Sequence, residues 1–598
     1  MVNLTINGKK ISVPEGTTIM EAASKNGIQI PRLCYLPNIH EVGSCRICVV
    51  EVEGAKTLQA SCIAKVAEGM VVTTNSPRVR KARKILYQLI ISDHAKDCLG
   101  CARSQSCELQ QLGKTLGVES QYFEGKPQKQ HLDKSLAITK DSSKCILCRR
   151  CVTICNEIQG VGVINPQNRG FATVIEPAAE LPLDSVNCSM CGQCTVVCPV
   201  NALKETDGIE QVWDALGNKS KRVVVLTAPA VRVAIAEEFG CEAGTVATGK
   251  LVSALRALGF DDVFDTNWAA DLTIVEEGTE FLGRIKAALK GGKAVLPMIT
   301  SCSPGWIKYI EHTFPAQLAH LSTCKSPHMM FGALAKSYYA EKINTAPEDI
   351  FVVSVMPCTA KKFEINRPEM QNGGLPNVDA VITTRELAAM INEAGIDFMN
   401  LEDSEFDAPL GFSTGAADIF GLTGGVMEAA LRTVYELVTG RELPFPNLHV
   451  SPLIGLDMVK EASFKIENPL EEYKFLDGLE IRVAVTSGLK GAKQLLRQIE
   501  EGLSPYHFIE VMGCPGGCIT GGGQPRSTDP DVRVKRMKGL LKEDEGKRIR
   551  KSHENPFIIS LYEEFLGHPN GSKSHELLHT HYTPRGIYNE YLTKTVGV

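Results

Sequence analysis

The feature that most constrains the fold is the distribution of cysteine. Fifteen of the 21 cysteines lie between Cys34 and Cys198, and only six are spread over the rest of the 598 residues. A secreted disulfide scaffold is usually short and follows a signal peptide, and the opening MVNLTINGKKISV lacks the layout of such a signal. Because tight thiolate groups in a reducing compartment normally bind metal, the sequence predicts a cytoplasmic iron–sulfur protein with a large second part.

Composition and charge exclude several other classes of protein. Hydrophobic residues make up 43% of the chain and charged residues 22%, which is ordinary for a globular protein and excludes disorder and collagen-like repeats. No apolar run approaches the roughly 18 residues that a membrane span requires. A net charge of −5 without a basic arm or stripe gives no reason to expect nucleic acid as a partner.

The pattern along the chain predicts several domains of α+β and α/β structure. Two alternating strands flank Asn7-Gly8, and Thr18 to Glu21 form a capping box at the start of a short helix. Residues 78–93 have helical periodicity, and the polar stretch 124–142 is typical of a linker. From about residue 220, β-branched runs alternate with helical stretches, as expected for buried strands of an α/β domain.

Eight cysteines form a duplicated run that is typical of bacterial ferredoxins. In such runs, three cysteines hold one [4Fe–4S] cluster and the fourth crosses to the other cluster. The first cluster would take Cys145, Cys148, Cys151 and Cys198, and the second would take Cys188, Cys191, Cys194 and Cys155. The alternative is two zinc knuckles, since a single Cys-x2-Cys pair also suits zinc.

Two further groups precede this run. Cys34, Cys45, Cys48 and Cys62 combine a close Cys-x2-Cys pair with one distant thiolate on each side, which favours a [2Fe–2S] centre over a zinc site. His94, Cys98, Cys101 and Cys107 contain only three thiolates, which favours a [4Fe–4S] cluster with His94 as the fourth ligand. Without those cysteines, His94 would be interpreted as a histidine at a helix end.

Residues 1–205 resemble the N-terminal parts of two families, the large iron–sulfur subunit of respiratory complex I and the multi-cluster [FeFe]-hydrogenases. The cysteine groups do not separate these families, because both use them to carry electrons. They indicate an electron-transfer chain and leave its source of electrons open.

Three cysteine motifs in the second half each follow an apolar, strand-like run. They are Thr300-Ser-Cys302-Ser-Pro-Gly-Trp306, Met356-Pro-Cys358-x-x-Lys361-x-x-Glu364 and Glu510-x-Met512-x-Cys514-x-x-Gly-Cys518. Because α/β sheets place ligand sites beyond the carboxyl ends of their strands, we expect the motifs to converge. They closely resemble the signature loops of [FeFe]-hydrogenases, over about residues 220–525, with further likeness in the SHEN and HELLH segments of the tail.

The resemblance implies an H-cluster, a [4Fe–4S] cubane joined through a cysteine sulfur to a di-iron centre with CO, cyanide and a bridging azadithiolate. It makes Cys358, Cys514 and Cys518 cubane ligands, with Cys518 as the bridge. Where the family commonly has its fourth ligand, a second cysteine, this chain has Ser303, while Cys302 fills the proton-donor position. Lys361 would hydrogen-bond a cyanide, the alternative being a surface lysine. Ala228, Pro229, Pro327, Met356, Phe420 and Met512 would pack against the di-iron centre.

The same resemblance implies a proton route through Cys302, Glu277, Ser322, Glu280 and Arg284. The spacing of Glu277, Glu280 and Arg284 places them on one helical face, although such charged pairs are also typical of a solvated face. Two remaining cysteines, Cys241 and Cys324, are predicted to be buried thiols without a ligand role.

The sequence therefore predicts a cytoplasmic [FeFe]-hydrogenase that catalyses reversible hydrogen oxidation. Five regions are expected: a plant-ferredoxin-like β-grasp [2Fe–2S] domain at 1–77, a one-His/three-Cys [4Fe–4S] segment at 78–125, a two-[4Fe–4S] ferredoxin-like domain at 138–208, an α/β catalytic domain at 220–525 and a small-subunit-like tail at 526–598.

The partners follow from a further resemblance, to the catalytic subunits of multimeric NAD(P)-linked, electron-bifurcating hydrogenases. It implies a flavin- and NAD(P)-binding subunit and a small [2Fe–2S] subunit, with ferredoxin as a further electron partner. No G-x-G-x-x-G follows a strand, so we expect no flavin or NAD site in this chain. The alternatives are a stand-alone ferredoxin-linked hydrogenase and an electron-transfer subunit of a complex I–like dehydrogenase.

Overall fold

The structure, a computed structural model, describes residues 1–120, 122–125, 131–443, 451–452 and 458–586. The chain folds into two compact units. The first comprises residues 1–157, 162–183 and 197–204, and the second comprises residues 158–161, 184–196 and 205–598. The end of the predicted tail, residues 587–598, lies outside the described residues. No helix in the described part of the chain combines the length and apolar character needed to cross a membrane.

The first unit begins with a five-stranded sheet built on the predicted hairpin. Its strands are β1 (Val2–Ile6), β2 (Lys9–Val13), β3 (Val49–Val52), β4 (Gln59–Ala60) and β5 (Val71–Thr73), in the order β2-β1-β5-β3-β4. Asn7 and Gly8 have φ of 49° and 81°, as the tight turn between β1 and β2 requires. Helix α1 (Ile19–Lys25) begins with the predicted Thr18–Glu21 capping box, and its apolar face joins the core of the sheet.

The rest of the first unit carries short elements between the cysteine groups. The helices are α2 (Pro77–Ser92), α3 (Glu108–Leu116) and α4 (Arg150–Thr153), and the strands are β6 (Leu132–Lys134), β7 (Ile138–Asp141), β8 (Asn165–Gln167), β9 (Val174–Glu176) and β10 (Leu203–Glu205). Helix α2 matches the predicted helix within one residue at each end. The helix predicted from the periodicity of this segment is therefore confirmed.

The prediction of a linker over residues 124–142 is wrong for its second half. Strands β6 and β7 pair antiparallel, and β7 also pairs with β10. Polar side chains here are buried and bonded: Asp133 accepts from the backbone N–H of Leu183 at 2.8 Å, and Lys140 pairs with the buried Glu176. The charged groups of this segment bond to residues that are distant in sequence. The segment is therefore buried although its sequence is polar.

The second unit contains a parallel sheet of the kind that the apolar runs predicted. Its strands are β11 (Arg222–Thr227), β12 (Asp262–Asp265), β14 (Ile350–Met356) and β17 (Ala380–Thr383), in the order β12-β11-β14-β17. Around them lie α5 (Gln193–Val197), α6 (Ile209–Gly217), α7 (Thr248–Leu258), α8 (Thr266–Leu289), α9 (Pro304–Thr313), α10 (Pro327–Leu334), α11 (Ala340–Lys342), α12 (Ala360–Glu364), α13 (Thr384–Glu393) and α14 (Gly415–Asp418).

A second, mixed sheet completes this unit. It contains β13 (Met298–Ile299), β18 (Ser451–Pro452), β19 (Val459–Lys465), β20 (Glu480–Ser487) and β21 (Phe508–Met512), in the order β13-β21-β20-β19-β18, while β15 (Gln371–Asn372) and β16 (Leu375–Pro376) form a separate hairpin. The remaining helices are α15 (Gly425–Thr439), α16 (Leu489–Glu500), α17 (Pro530–Gly546), α18 (Pro556–Leu561) and α19 (Ser572–Leu578). Strands β13, β21 and β20 are parallel neighbours, so their carboxyl ends share one edge.

A buried cation holds the loops after β11 and β12 together. Arg232 is fully buried, and its guanidinium donates to Asp265 at 2.7 Å and to Asp418 at 3.3 Å. Both carboxylates are also buried, so each charge in the cluster depends on the others. Arg222 provides a matched contrast, since it pairs bidentately with Asp262 at 2.7 Å but is 40% exposed.

We expect Arg232→Ala to destabilise the second unit by about 3–5 kcal/mol, because it removes the buried guanidinium that neutralises two buried carboxylates. Arg222→Ala, the control, is expected to cost about 1 kcal/mol or less. All three tryptophans, Trp213, Trp268 and Trp306, lie in this unit, so anaerobic urea unfolding followed by tryptophan fluorescence reports on it selectively. Equal midpoints for the two variants would contradict this account of the cluster.

Candidate active site

The three cysteine motifs of the second half meet in one cavity. They follow β13, β14 and β21, at the carboxyl ends of parallel strands, as expected. The cavity contains about 730 Å³ of space not filled by protein atoms. Its lining includes five of the predicted site residues from these motifs: Cys302, Ser303, Cys358, Cys514 and Cys518.

Most of the remaining wall is apolar. All six residues predicted to pack against a di-iron centre line this cavity: Ala228, Pro229, Pro327, Met356, Phe420 and Met512. Methionine thioethers and proline rings offer few hydrogen bonds to water, so the wall favours a bound group over solvent.

The chemistry of the three deeper cysteines fits an iron–sulfur cluster. Burial raises the pKa of Cys518 to about 12 and also raises the pKa of Cys358 and Cys514. The negative charge of Cys358 adds to this effect at both Cys514 and Cys518. Buried thiols this close together ionise only if a cation shares the charge, and iron is a soft cation that thiolates bind well.

The first loop contributes two different groups. The Ser303 hydroxyl oxygen accepts a hydrogen bond from the Gly513 N–H at 3.2 Å, beside the loop that carries Cys514. Burial, and next the charge of Glu277, raise the pKa of the neighbouring Cys302 well above its usual value. Cys302 therefore carries its proton at neutral pH.

Lys361 is held in the cavity wall by a network that sequence reasoning did not assign. Its ammonium donates to the Cys302 carbonyl at 3.2 Å and to Glu364 at 2.8 Å. His328 also lines the cavity, and its Nε2 atom lies 2.7 Å from the same Glu364 oxygen, Oε2, that accepts from Lys361. Burial opposes the ionisation of Glu364, but Lys361 and His328 outweigh it and lower its pKa to about 2. Lys361 is thus a buried, paired cation and not a surface lysine.

A second residue that the sequence analysis did not assign, Glu510, connects the strand before Cys514 to helix α15. Glu510 on β21 is fully buried and accepts from the backbone N–H groups of Gly424 and Met427, at 2.6 and 2.7 Å. These groups open helix α15, where a carboxylate complements the helix dipole. The motif Glu510-x-Met512-x-Cys514 gave the position of this glutamate but not its distant partner.

The predicted proton-route residues adjoin one another along α8. Ser322 donates to Glu280 at 3.0 Å, and Arg284 pairs with the same carboxylate at 2.6 Å. Burial and then the charge of Glu280 raise the pKa of Glu277 to about 8, while a hydrogen bond from Ser322 opposes the shift. A carboxyl group with such a pKa exists in both protonation states near neutral pH, which suits proton transfer.

One ferredoxin-type loop packs directly on the cavity loops. Within the second unit, Gln193 donates to the Thr520 carbonyl at 2.9 Å and Thr195 donates to the Gly522 carbonyl at 3.0 Å. A Cβ atom at Gly522 would lie 2.6 Å from the carbonyl oxygen of Cys191, so only glycine allows this approach. The loop of Cys188, Cys191 and Cys194 therefore lies against the residues that follow Cys518.

The four N-terminal cysteines of the first unit face one another in pairs. The sulfurs of Cys48 and Cys62 are 3.3 Å apart, and the backbone N–H of Cys34 lies 3.4 Å from the sulfur of Cys45. Hydrogen bonds from their partners lower the pKa of Cys45 to about 6 and that of Cys48 to about 7. Thiolates are the form that binds iron, so this group also fits a cluster.

The surroundings of His94 are compatible with a metal ligand. It lines a cavity of the first unit together with Cys98, Cys101 and Cys107. Its Nδ1 atom is buried and has no hydrogen-bond partner among the described residues. Burial lowers the pKa of this imidazole, which keeps the ring neutral, as metal coordination requires. The helix-end interpretation does not explain an unsatisfied buried nitrogen.

The remaining cysteines divide as follows. Cys145, Cys148, Cys151 and Cys198 line one cavity of the first unit, in agreement with the crossed ferredoxin pattern. Cys155 belongs to the first unit, and Cys188, Cys191 and Cys194 belong to the second. Cys324 is buried as predicted, but the prediction for Cys241 is wrong, since its thiol is only half-buried and lies 3.2 Å from the sulfur of Met399.

Comparison with protein families covers nearly the whole chain. Residues 221–522 match the iron only hydrogenase large subunit, C-terminal domain, and residues 530–585 match the iron hydrogenase small subunit. Three iron–sulfur families match the remainder: a 2Fe–2S iron–sulfur cluster binding domain over 1–77, the NADH-ubiquinone oxidoreductase-G iron–sulfur binding region over 83–121 and a 4Fe–4S dicluster domain over 144–202.

Individual relatives agree with these matches. The NADP-reducing hydrogenase subunit HndD of Solidesulfovibrio fructosivorans is 52% identical over 98% of this chain and 99% of its own length. Iron hydrogenase 1 of Clostridium pasteurianum is 40% identical over 97% of this chain and all of its own length. A structure of the [FeFe]-hydrogenase HydA1 from Chlamydomonas reinhardtii has a TM-score of 0.59 and 43% identity, covering 64% of this chain and all of that one.

Removing one cavity thiolate should release the iron held there. We expect Cys358→Ala to lower the iron content by about four atoms per chain and to remove one cluster signal in electron paramagnetic resonance (EPR), because a cubane needs all its protein ligands. Cys324→Ala, which removes a buried thiol outside this cavity, is the control and should retain all its iron. Full iron retention in Cys358→Ala would show that the cavity does not hold a cluster through this residue.

Proposed function

The chain belongs to the iron-only, or [FeFe], hydrogenases, and from this membership we propose which of its residues hold the cofactors, move protons and pass electrons. The reaction is H2 ⇌ 2H⁺ + 2e⁻. The observation that carries the assignment of residues is the convergence of three cysteine loops on one apolar cavity beyond the carboxyl ends of parallel strands.

Cys358, Cys514 and Cys518 are proposed to hold the cubane of the H-cluster, with Cys518 bridging to the di-iron centre and the Ser303 hydroxyl at the fourth cubane position. When bound, the di-iron centre with its CO, cyanide and azadithiolate ligands supplies the site where hydrogen is split or formed. The role of the wall is to exclude water there, which the apolar residues Met356, Phe420 and Met512 support.

Lys361 is proposed to hydrogen-bond a cyanide ligand from the cavity wall. Its ammonium is pinned on one side by Glu364, which His328 holds in turn, so the direction of its remaining N–H groups is fixed. A preorganised donor of this kind stabilises negative charge without reorganising during turnover. The pairing with Glu364 also offsets part of the cost of burying the ammonium.

Cys302 is proposed as the proton donor beside the di-iron centre, and Glu277, Ser322 and Glu280 as the relay behind it. Cys302 lines the cavity, and the charge of Glu277 contributes more to its raised pKa than that of any other residue. The Ser322 hydroxyl donates to Glu280 at 3.0 Å, and its interaction with Glu277 lowers the pKa of that carboxyl group, so Ser322 is proposed to link the two. This arrangement lets a proton move through hydrogen-bonded groups in a region that excludes bulk water.

Electrons are proposed to pass between the cubane and the cluster at Cys188, Cys191 and Cys194, because that loop is packed against Gly522. From there the chain would pass them through the cluster at Cys145, Cys148, Cys151 and Cys198 to the [4Fe–4S] cluster at His94 and the [2Fe–2S] centre at Cys34. The full set is one [2Fe–2S], three [4Fe–4S] and the H-cluster, with no flavin or NAD in this chain.

Partner subunits are proposed to connect this chain to NAD(P). The relative from Solidesulfovibrio fructosivorans is described as a subunit of an NADP-reducing hydrogenase, and it aligns over almost its entire length. We infer a flavin- and NAD(P)-binding subunit and a small [2Fe–2S] subunit, with ferredoxin as a further electron partner. We propose that the protein works in the cytoplasm, a reducing compartment in which grouped cysteines bind metal and rarely form disulfides.

The roles of Cys302 and Ser303 are separable by mutation. We expect Cys302→Ala to reduce hydrogen evolution by at least about 100-fold with the cubane intact, because a thiol transfers a proton near neutral pH and a methyl group does not. Ser303→Cys should keep most of the activity and change the reduction potential of the cubane, since sulfur would replace oxygen beside the iron. The measurements are hydrogen evolution and cluster EPR on matured protein. Loss of the cubane in Cys302→Ala would instead make Cys302 the fourth ligand.

The isolated chain should not use nicotinamide nucleotides. Under hydrogen, the purified protein is expected to reduce an artificial viologen dye but to produce no NADPH from NADP⁺. Adding the flavin- and NAD(P)-binding subunit should start NADPH formation, followed by absorbance at 340 nm, a wavelength set by the nucleotide itself. NADPH formation by the chain alone would overturn the partner assignment.

A further inference from the structure

Glu280, the outermost carboxyl group of the proposed proton route, has a side chain that is only 12% exposed, so little of it faces water. Arg284 pairs with Glu280, and the same guanidinium donates to the carbonyl oxygens of Leu321 at 2.7 Å and Ala319 at 3.2 Å. A guanidinium keeps its proton at every pH at which a protein is folded, so it donates hydrogen bonds but does not relay protons. These contacts make Arg284 a positioning residue for Glu280.

A second series of contacts connects Glu280 to Thr323 and then to His579. One oxygen of Glu280 accepts from the backbone N–H of Thr323 at 3.0 Å and lies 3.2 Å from the Thr323 hydroxyl. That hydroxyl lies 2.8 Å from Nδ1 of His579. A carboxylate oxygen of Glu280, the sulfur of Cys324 and a ring nitrogen of His579 all lie within 4.8 Å of one another.

We propose that His579 is the proton-exchange group of the route, connected to Glu280 through the hydroxyl of Thr323. The proposal rests on the route through Glu277, Ser322 and Glu280 given above. During hydrogen evolution, the imidazolium gives its Nδ1 proton to the Thr323 oxygen while the Thr323 hydroxyl proton moves to the Glu280 carboxylate. One proton enters and one leaves the hydroxyl, so Thr323 is unchanged and His579 becomes neutral. Hydrogen oxidation uses the same steps in reverse.

The backbone fixes His579 in this place. The segment around it pairs antiparallel with the loop before α10: the Thr580 N–H donates to the Thr323 carbonyl at 2.7 Å, and the Lys325 N–H donates to the Leu578 carbonyl at 2.8 Å. Helix α19 ends at Leu578, and His579 has extended backbone angles, with φ of −108° and ψ of 162°. The HELLH segment therefore does not place its two histidines on one helical face. It turns His579 toward α8 instead.

The surroundings of His579 suit a group that gains and loses a proton. Its Nε2 atom lies 3.2 Å from Glu276, and this buried carboxylate is held by the Tyr562 hydroxyl at 2.6 Å and the Asn570 N–H at 2.7 Å. A fixed carboxylate on one nitrogen orients an imidazole. Imidazole is also the side chain whose proton exchange falls near neutral pH.

Contact with solvent is available on the outer side. His579 is 8% exposed, and the ring of the exposed His575 lies 4.2 Å from its own ring, centroid to centroid. The ionisable groups that face His579 are Glu276 and Glu280 from α8, Cys324 from the loop before α10, and His575 from α19. Tyr562, from the segment after α18, bonds to Glu276. His575 is the most exposed of these groups, so the proposed exchange with water takes place on its side of His579.

The test uses the full chain with all its clusters matured, and follows dye-driven hydrogen evolution against pH. We expect His579→Gln to lower the rate about tenfold or more near neutral pH, the scale of losing a general acid–base group, and to change the pH profile. Added imidazole should restore part of the rate. Thr323→Val should behave like His579→Gln but without imidazole rescue, whereas Thr323→Ser, which keeps the hydroxyl, should remain near wild type.

His553→Gln is the matched control. His553 lies in the same tail, its Nδ1 atom is 3.3 Å from the Thr433 hydroxyl, and its Nε2 atom is 3.9 Å from Glu436, but it has no contact with Glu280. This variant should retain the wild-type rate and pH profile. Infrared bands of the di-iron ligands, recorded for every variant, separate loss of proton transfer from loss of the active site.

The outcomes separate a failure of the proposed hydrogenase function from a failure of the proposed role of His579. Wild-type protein that carries the infrared bands but evolves no hydrogen would count against the proposed function itself. Active wild type with an unchanged rate and pH profile in His579→Gln would overturn the exchange role alone. Equal rates in Thr323→Val and Thr323→Ser would also overturn the exchange role. If His579→Gln does not fold, these two variants test that role without it.

Discussion

Burial of charge-bearing groups at the carboxyl ends of parallel strands is the constraint on which the rest of the second unit depends. Four thiols and one lysine share a cavity walled by apolar side chains, and burial by itself disfavours charged side chains. The protein compensates for this cost locally, with Glu364 beside Lys361, while an iron–sulfur cluster would compensate for the thiolates. The same burial that destabilises an empty site makes the loaded site dry and electrostatically strong.

Burial also determines the charge state of the carboxyl groups on the long helix α8. Its carboxyl groups lie at graded depths: Glu276 and Glu277 are buried, whereas Glu280 is partly exposed. Burial raises the pKa of Glu277 to about 8, while hydrogen bonds from Tyr562 and Asn570 help keep Glu276 ionised. One helix therefore presents the carboxyl group that we propose as a proton relay, Glu277, and another that contacts a histidine, Glu276. The tail segment around His579 completes this arrangement from a part of the chain about 300 residues away.

Sequence reasoning was most successful where the chemistry lies in short, ordered motifs. The hairpin at Asn7-Gly8, the capping box at Thr18 and helix α2 follow from local rules, and the cysteine spacings indicated the iron–sulfur domains. It failed where contacts span long separations. Thr323 and His579, 256 residues apart, are joined by a single hydrogen bond that no spacing reveals. The strands at 132–141 were hidden because their charges are paired with distant residues.

Infrared spectroscopy of the matured protein tests the central claim most directly, because CO and cyanide bound to iron absorb where protein does not. The account predicts narrow bands from both ligands in protein made with its maturation system, and none in protein made without it or in Cys518→Ala. Activity should appear only with the bands. Fully iron-loaded, matured protein that evolves hydrogen without these bands would contradict the assignment of the cavity as the H-cluster site.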